Sequence, residues 1–482
     1  MSVQILVQGK LIGVPEFLTA PGAGALNTAD AESLLAGRSH WVSLLMEVLP
    51  RALLAELGLS KLLLGSSGAA QFLLILPGEA RERADAFLQT AREAVRRRSA
   101  NRLDLLWAVT ENLGDWTIVR KRLNDELQRN ENLPLIEMGA SFFVAPASEP
   151  APDFDRYFMD EMGRRLREAQ SVGWSPADAA DMLLDDGLHR WPLREGEDAV
   201  PLARQAALTD DGDAIASAAQ LGLRAEGRPV WGVLRGDADD FGIRLRRASS
   251  IEEHVHLSVL FKQFFAGELE LLCTMPGFWN KVTLFYSGGD DFAVYGAWDA
   301  LILLAREAHR VFERFAQENL REFPGPEGKT ISMAIALAPD DDAPLGEVFQ
   351  SAGERLEVAK CSDKDCCHLL GRTIEWKELA DAAELKDDLT RMVNEFGMTP
   401  EYLLDLCAIY RETRRGGRVR RPERPWRFHR RLLRVLTGSR SRDFQKARNA
   451  LIASLVGRNA ASFKLRPSGR VALEWARLAV GA

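Results

Sequence analysis

Two adjacent carboxylates, Asp290 and Asp291, follow two glycines, Gly288 and Gly289, in the stretch KVTLFYSGGDDFAVYGAWDA at residues 281–300. Like charges side by side repel and are costly to desolvate, so a half-buried pair needs a cation, whereas an exposed pair is simply a polar turn. Gly-Gly-Asp-Asp is also an ordinary hairpin connection, so these four letters alone leave the plain turn and the metal site level. A third carboxylate, Asp237, ends the apolar run in RPVWGVLRGDADDF, with Asp239 and Asp240 close behind. Three carboxylates on neighbouring strands can hold two Mg2+ or Mn2+ ions, which favour oxygen ligands. A metal pair of that kind suits nucleotidyl transfer, polarising the attacking hydroxyl on one side and stabilising the leaving pyrophosphate on the other. In that reading Gly288 and Gly289 leave room for a nucleotide to approach the backbone, while Asp239 and Asp240 either assist or cap the following turn. Lys360, at the end of the helix read in AGERLEVAK, either reaches the triphosphate or is a solvated lysine at a helix C-terminus.

The elements that must position these groups are legible in the periodicity. After the strand ending at Asp237, IEEHVHLSVLFKQFFAGELELL carries apolar residues at helical spacing. Strands at 282–286 and 292–295 flank the glycines and aspartates, DALILLAREAHRVFERFAQ reads as a helix, and TISMAIALAP as a last strand. The order is βαββαβ, a ferredoxin-like unit, in which the first strand lies beside the hairpin and brings Asp237 to face Asp290 and Asp291. A second such unit emerges when the chain is compared with itself. KLLLGSSGAAQFLLIL from Lys61 aligns without gaps to KVTLFYSGGDDFAVYG from Lys281. The earlier unit starts with the strand VQILVQGK and a long helix, and places Ala70 and Gln71 where the later unit has Asp290 and Asp291, with Lys10 near the place of Asp237. One copy has metal ligands and the other has none.

The rest of the chain bounds the function. Its 482 residues, 46% hydrophobic and 27% charged, describe a multidomain globular protein. No apolar run reaches the roughly 18 residues of a membrane span. Five cysteines, an odd number in a long chain, argue against a disulfide framework and for a reducing cytoplasm. A net charge of −7 argues against coating nucleic acid with the whole surface. Between Arg411 and Arg448, however, fifteen Lys or Arg stand against three acidic residues, which reads equally as a solvated helix face and as a surface for RNA or an acidic partner.

Taken together, the motifs resemble a known family: the large subunit of type III CRISPR interference complexes, a cyclic oligoadenylate synthetase with two palm domains. The resemblance rests on GVLRGDADDFG, SGGDDF, and AGERLEVAK followed by GRTIEW for the second palm. ESLLAGRSHWVSLLMEVLPRALLAELGL with FLLILP is similar to the first palm, MGRRLREAQSVGW to the middle domain, and the basic helical C-terminus to that of the family. It implies an α+β fold with a degenerate first palm at residues 1–112, a mainly helical linker at 113–228, a catalytic palm at 229–378 and a helical C-terminal domain at 379–482. It further implies that Asp237, Asp290 and Asp291 hold two Mg2+ or Mn2+ ions for condensing ATP into cyclic oligoadenylate. Ser287, Gly288, Gly289 and Lys360 would line the nucleotide site. The implied partners are a CRISPR RNA, a target RNA, and backbone, small and guide-5′-end-binding subunits.

Two departures shape the expectation. Many family members open with an HD nuclease domain, whereas none of the seven histidines here is followed by Asp, so no DNA cleavage is expected. The Cys-x-x-Cys pairs often found between the palms are missing, because residues 110–228 contain no cysteine. CSDKDCCH at 361–368 offers groups that bind metals but matches no standard zinc spacing, and reads as structural or incidental thiols. A diguanylate cyclase, a template-dependent polymerase and a non-catalytic scaffold are the rival readings. The duplicated palm and the basic helical tail fit the cyclase poorly, and no primer-template cleft is visible for a polymerase.

Overall fold

A computed structural model describes residues 3–22, 26–68, 70–138, 152–175, 181–193, 196, 198–362, 364–412, 425–439, 441–455 and 467–481. The first unit runs β1 (Gln4–Ile12), helix Thr28–Leu57, β2 (Leu64–Gly68), β3 (Gln71–Pro77), helix Arg81–Arg98 and β4 (Asp104–Glu111), in sheet order β2-β3-β1-β4. The helix Thr28–Leu57 starts where the Asn27 side chain accepts from the Asp30 amide and stops at Gly58, φ +68°. Trp41, Leu44, Leu45, Met46, Val48 and Leu49 are all buried along it. An apolar surface on successive residues, rather than on one stripe, belongs to a helix covered from several sides.

Between the two ferredoxin-like units the helix Trp116–Met138 is followed by β5 (Ser171–Ser175), β6 (Asp181–Leu184) and β7 (His189–Pro192), an antiparallel sheet of order β6-β5-β7. The expected mainly helical connector therefore carries a small sheet as well. Its strands are only four or five residues long, too short to show a clear alternation in the sequence.

The second unit contains β8 (Trp231–Ala238), helix Ile251–Gln263, a π-helical turn Phe264–Glu268, β9 (Val282–Gly288), β10 (Asp291–Ala297), helix Trp298–Asn319, β11 (Ile331–Leu337), helix Leu345–Cys361, β12 (Cys366–Leu369) and β13 (Arg372–Glu375). The order β13-β12-β11-β8-β10-β9 contains the expected ferredoxin-like core, extended by a parallel strand and a hairpin. Both faces of this sheet are buried, and the pleat sorts the side chains between them. Leu234, Phe292 and Val294 pack with the unit's own helices, whereas Val233, Phe285, Ala293 and Tyr295 join the core of the first unit, including the helix Thr28–Leu57. The C-terminal helices Trp376–Asn394, Glu401–Glu412, Pro425–Val435, Arg442–Leu455 and Pro467–Ala479 contribute Leu389, Leu403, Leu451 and Val471 to the core of the second unit. Residues 413–424, in the middle of the basic stretch, lie outside the described residues.

The duplication extends to details that no motif displays. In the first unit Gly65 is the extra residue between ladder partners, and in the second it is Phe285, the position 220 residues later in the gapless alignment. Gly9 faces Phe72 and Gly236 faces Phe292 across the same strand pair. A Cβ would lie 2.2 Å from the first ring and 2.3 Å from the second, so both glycines exist to let a phenylalanine fold over the strand.

Candidate active site

β8, β9 and β10 bring the predicted carboxylates together. Asp237, the penultimate residue of β8, stands in register opposite Asp291, the first residue of β10, and Asp291 also pairs with Gly288 at the end of β9. The strands run further than the sequence indicates, so the connection is the two-residue turn Gly289–Asp290, with Gly289 at φ +68°. The adjacent aspartates are thus not both at a turn tip: Asp290 is in the turn and Asp291 is a ladder residue. In the first unit Lys10 stands opposite Gln71 in the corresponding register, which bears out the expected replacement of the acidic pair.

The electrostatics are those of a site short of positive charge. Burial pushes the Asp290 carboxyl up to about 7, and the neighbouring Asp291 and Asp237 push in the same direction. Burial raises Asp237 to about 6 against the opposing effect of Lys360, whose Nζ lies 2.8 Å from its Oδ2. Asp291 is also raised by burial, opposed by the Tyr286 hydroxyl, which donates to Oδ2 at 2.7 Å, and by Arg235. Lys360 reaches the cluster from the last turn of the helix Leu345–Cys361.

The other predicted residues divide. Gly288 and Gly289 line the cavity at the cluster, and a Cβ on Gly288 would meet no protein atom. Ser287 lines it too, but its hydroxyl donates to the Phe265 carbonyl in the π-helical turn, tying the strand to that turn. Asp239 and Asp240 do not join the cluster. Asp239 is buried and accepts from the Thr330 and Ser332 hydroxyls and the Asp365 amide, while Asp240, at φ +59°, pairs with Lys364. Cys366 and Cys367 are buried in β12, where the Cys366 thiol donates to the Ala359 carbonyl, while Cys361 is exposed.

The cluster opens into a cavity of about 710 Å3 between the two units. The first unit supplies Ser39, Val42, Met46 and Glu47 from its long helix and Gly68 and Ala70 from its hairpin; the second supplies Phe349, Gly353, Glu354 and Glu357 from the helix Leu345–Cys361. The two hairpins meet tip to tip, a Cβ on Gly68 lying 3.7 Å from the Gly289 amide. Lys262 bridges the units as well: its ammonium contacts Glu47, which Arg51 also holds at 2.6 Å, and donates to the Ser67 hydroxyl at 2.9 Å. Arg235, Tyr286, Phe349 and Lys262 are the cavity residues that the motifs do not disclose. A charged residue inside the apolar run WGVLRGD was the available signal for Arg235.

Among the described residues no group of three or more His, Cys, Asp or Glu is placed to hold a metal ion as the side chains stand. The donor set nevertheless fits divalent cations. It offers hard oxygen ligands on paired strands, and burial and mutual repulsion leave their charge under-compensated.

Comparison with known proteins agrees with this geometry. Residues 230–368 match the model of the Cas10/Cmr2 second palm domain. A stretch of 173 residues is 24% identical to the CRISPR system single-strand-specific deoxyribonuclease Cas10/Csm1 of Thermococcus onnurineus, and 165 residues are 28% identical to that of Enterococcus italicus. These matches take in 33% of this chain and 21% and 20% of the relatives, so the chain is matched to about a fifth of their length. The fold superposes on Csm1 in a Csm1-Csm4 cassette in complex with cA3 and in one with one ATP, each with a TM-score of 0.73 at 17% identity, covering 99% of this chain and 70% of the other. The second ferredoxin-like unit is therefore similar to a Cas10/Cmr2 second palm, the first repeats its topology, and the whole chain shares its fold with the Csm1-Csm4 cassettes, so that it resembles the large subunits of type III CRISPR complexes.

Proposed function

We propose that the chain is a metal-dependent nucleotidyltransferase that joins ATP into cyclic oligoadenylates, acting within an RNA-guided type III effector complex. The observation that carries the reading is the register of Asp237 against Asp291, with Asp290 in the adjoining turn, at the edge of a cavity closed by a palm that lacks these acids. Csm1-Csm4 cassettes of the same fold in complex with AMPPNP, one ATP, cA3 and cA4 support a nucleotide ligand.

Asp237, Asp290 and Asp291 would hold two Mg2+ or Mn2+ ions. When bound, these supply Lewis-acid activation of a ribose hydroxyl and stabilisation of departing pyrophosphate. The residues themselves orient and neutralise. Tyr286 fixes the Asp291 carboxylate by donating to one oxygen and leaving the other for a ligand. Lys360 offers its charge to Asp237, and an arriving triphosphate gives it a second anion. The open space at Gly288 admits the nucleotide against the strand, and Ser39, Ser43, Val42 and Met46 of the first palm form the opposite wall for the second nucleotide.

The domain division at 112, 228 and 378, the RNA partners and the neighbouring subunits go with this reading, the last supported by the pairing of Csm1 with Csm4 in the related structures. The chain, alone and assembled with guide, subunits and target RNA, should be incubated with each nucleoside triphosphate and Mn2+, and the products resolved by mass spectrometry. Cyclic adenylate rings are expected. A cyclic guanylate dimer would favour the diguanylate-cyclase reading, and no product under any condition would leave a scaffold.

A further inference from the structure

Arg235 lines the cavity and, among the described residues, makes no direct ion pair, its charge acting on Asp291 without contact. It sits mid-strand in β8, two residues before Asp237 and so on the same face of the sheet. Lys262, the other basic residue lining the cavity, is paired with Glu47, and Lys360 beside it is paired with Asp237. The Arg235 guanidinium instead lies over the Phe349 ring, with Cζ 4.5 Å from the centroid, and donates from Nη2 to the Tyr286 hydroxyl at 3.3 Å. Its buried Nε has no hydrogen-bond partner. Gly353 makes room for it: a Cβ there would lie 2.4 Å from Nη1.

A guanidinium has five donors in a fixed fork, and among the described residues one long hydrogen bond is made. Stacking on an aromatic ring holds the plane without consuming the fork, because the cation–π attraction acts through the face. Gly353 leaves open the space that Nη1 occupies, and the Phe349 ring and the Tyr286 hydroxyl hold the fork in it. A planar cation fixed in this way beside three carboxylates complements a tetrahedral oxyanion that arrives with its own divalent cations.

We propose that Arg235 receives the phosphate chain of the bound nucleotide, taking non-bridging oxygens through its Nη1 edge while Phe349 and Tyr286 hold it in place. The assignment rests on the nucleotide reading above and deepens it: the ligand class is a nucleoside polyphosphate or pyrophosphate, recognised by its phosphates and not by its base. In transfer, a ribose hydroxyl oxygen of the second nucleotide forms a bond to the α-phosphorus and gives its proton to solvent, the bond from that phosphorus to the bridging oxygen breaks with its electron pair going to that oxygen, and pyrophosphate departs with more negative charge than it had in the substrate. A guanidinium at those oxygens would then bind the transition state more tightly than the ground state.

The test is equilibrium binding of AMPPNP with Mn2+, of adenosine, of pyrophosphate with Mn2+, and of Mn2+ alone, to wild type, Arg235→Gln and Arg235→Lys. Arg235→Gln should weaken AMPPNP and pyrophosphate about 10- to 100-fold, as for loss of a charged hydrogen-bonding partner, and leave adenosine and Mn2+ unchanged. Arg235→Lys keeps the charge and loses the fork, so its affinities should fall between the two. It also serves if the Gln variant melts early. Unchanged AMPPNP and pyrophosphate affinity in both variants would overturn the assignment. So would a parallel loss of Mn2+ affinity, which would make Arg235 a positioning residue acting through Tyr286 and Asp291. If wild type binds no AMPPNP at all, the nucleotide reading itself fails, a result distinct from either outcome for Arg235.

Discussion

Asp290 and Asp291 are side by side because a strand boundary runs between them. Asp291 is locked into the ladder opposite Asp237, and Asp290 is delivered by the turn, so three acids from two points of the chain share one low-dielectric edge. The sequence shows the acids and their order. It does not show that Tyr286 and Lys360 each occupy one of them, because those contacts depend on a strand register and a helix end brought together only by folding. A pH dependence follows. With Asp237 raised to about 6 and Asp290 to about 7, the fold holds protons that the unfolded chain releases from about pH 4. The contribution of these two carboxyls to metal-free stability should therefore fall as pH rises from about 4 to about 7 and level off above, read as the difference between wild type and the asparagine variant, Asp290→Asn with Asp291→Asn. Thermal melts of both across this range should show the fall, and Mn2+ should abolish it. A wild-type stability that rises with pH relative to the asparagine variant over the same window in metal-free buffer would contradict the charge deficit.

The two palms share elements below the resolution of any motif. Sequence alignment alone pairs Lys10 with Asp237 only approximately, yet the ladders place Lys10 opposite Gln71 as Asp237 is opposite Asp291. The glycine beside each explains part of the spacing, since Gly9 and Gly236 each accept a phenylalanine ring over the strand. Gly9→Ala and Gly236→Ala should each cost about 1–3 kcal/mol of stability by overpacking, read by denaturant unfolding. Phe72→Leu and Phe292→Leu should recover part of that loss in the double variants. No recovery would mean that the glycines serve backbone geometry alone. The short strands β5–β7 escaped the sequence because four or five residues carry too few periods to separate strand from helix.

At the scale of the whole molecule, the cavity exists because the second palm's sheet is apolar on both faces and gives one of them to the first palm. Uninterrupted apolar strands were visible in the sequence; which element covers the second face was not, since that is a long-range contact. The basic C-terminal region belongs to this scale too, with Arg430 and Arg434 exposed on the helix Pro425–Val435. If that helix meets RNA phosphates, Arg430→Glu with Arg434→Glu should weaken RNA binding by the assembled complex and flatten the salt slope by about 0.7–0.9 for each phosphate no longer neutralised. An unchanged slope would return these arginines to solvent. The central claim is that the acidic edge of the second palm, and not its counterpart in the first, performs the chemistry. Its most direct measurement is ATP conversion by the assembled, target-bound complex carrying Asp290→Ala with Asp291→Ala, compared with Gln71→Ala. The double aspartate variant should stay folded and make no cyclic adenylate, whereas Gln71→Ala should bind Mn2+ as wild type does and retain activity; cyclic product at the wild-type rate from the double aspartate variant would contradict the claim.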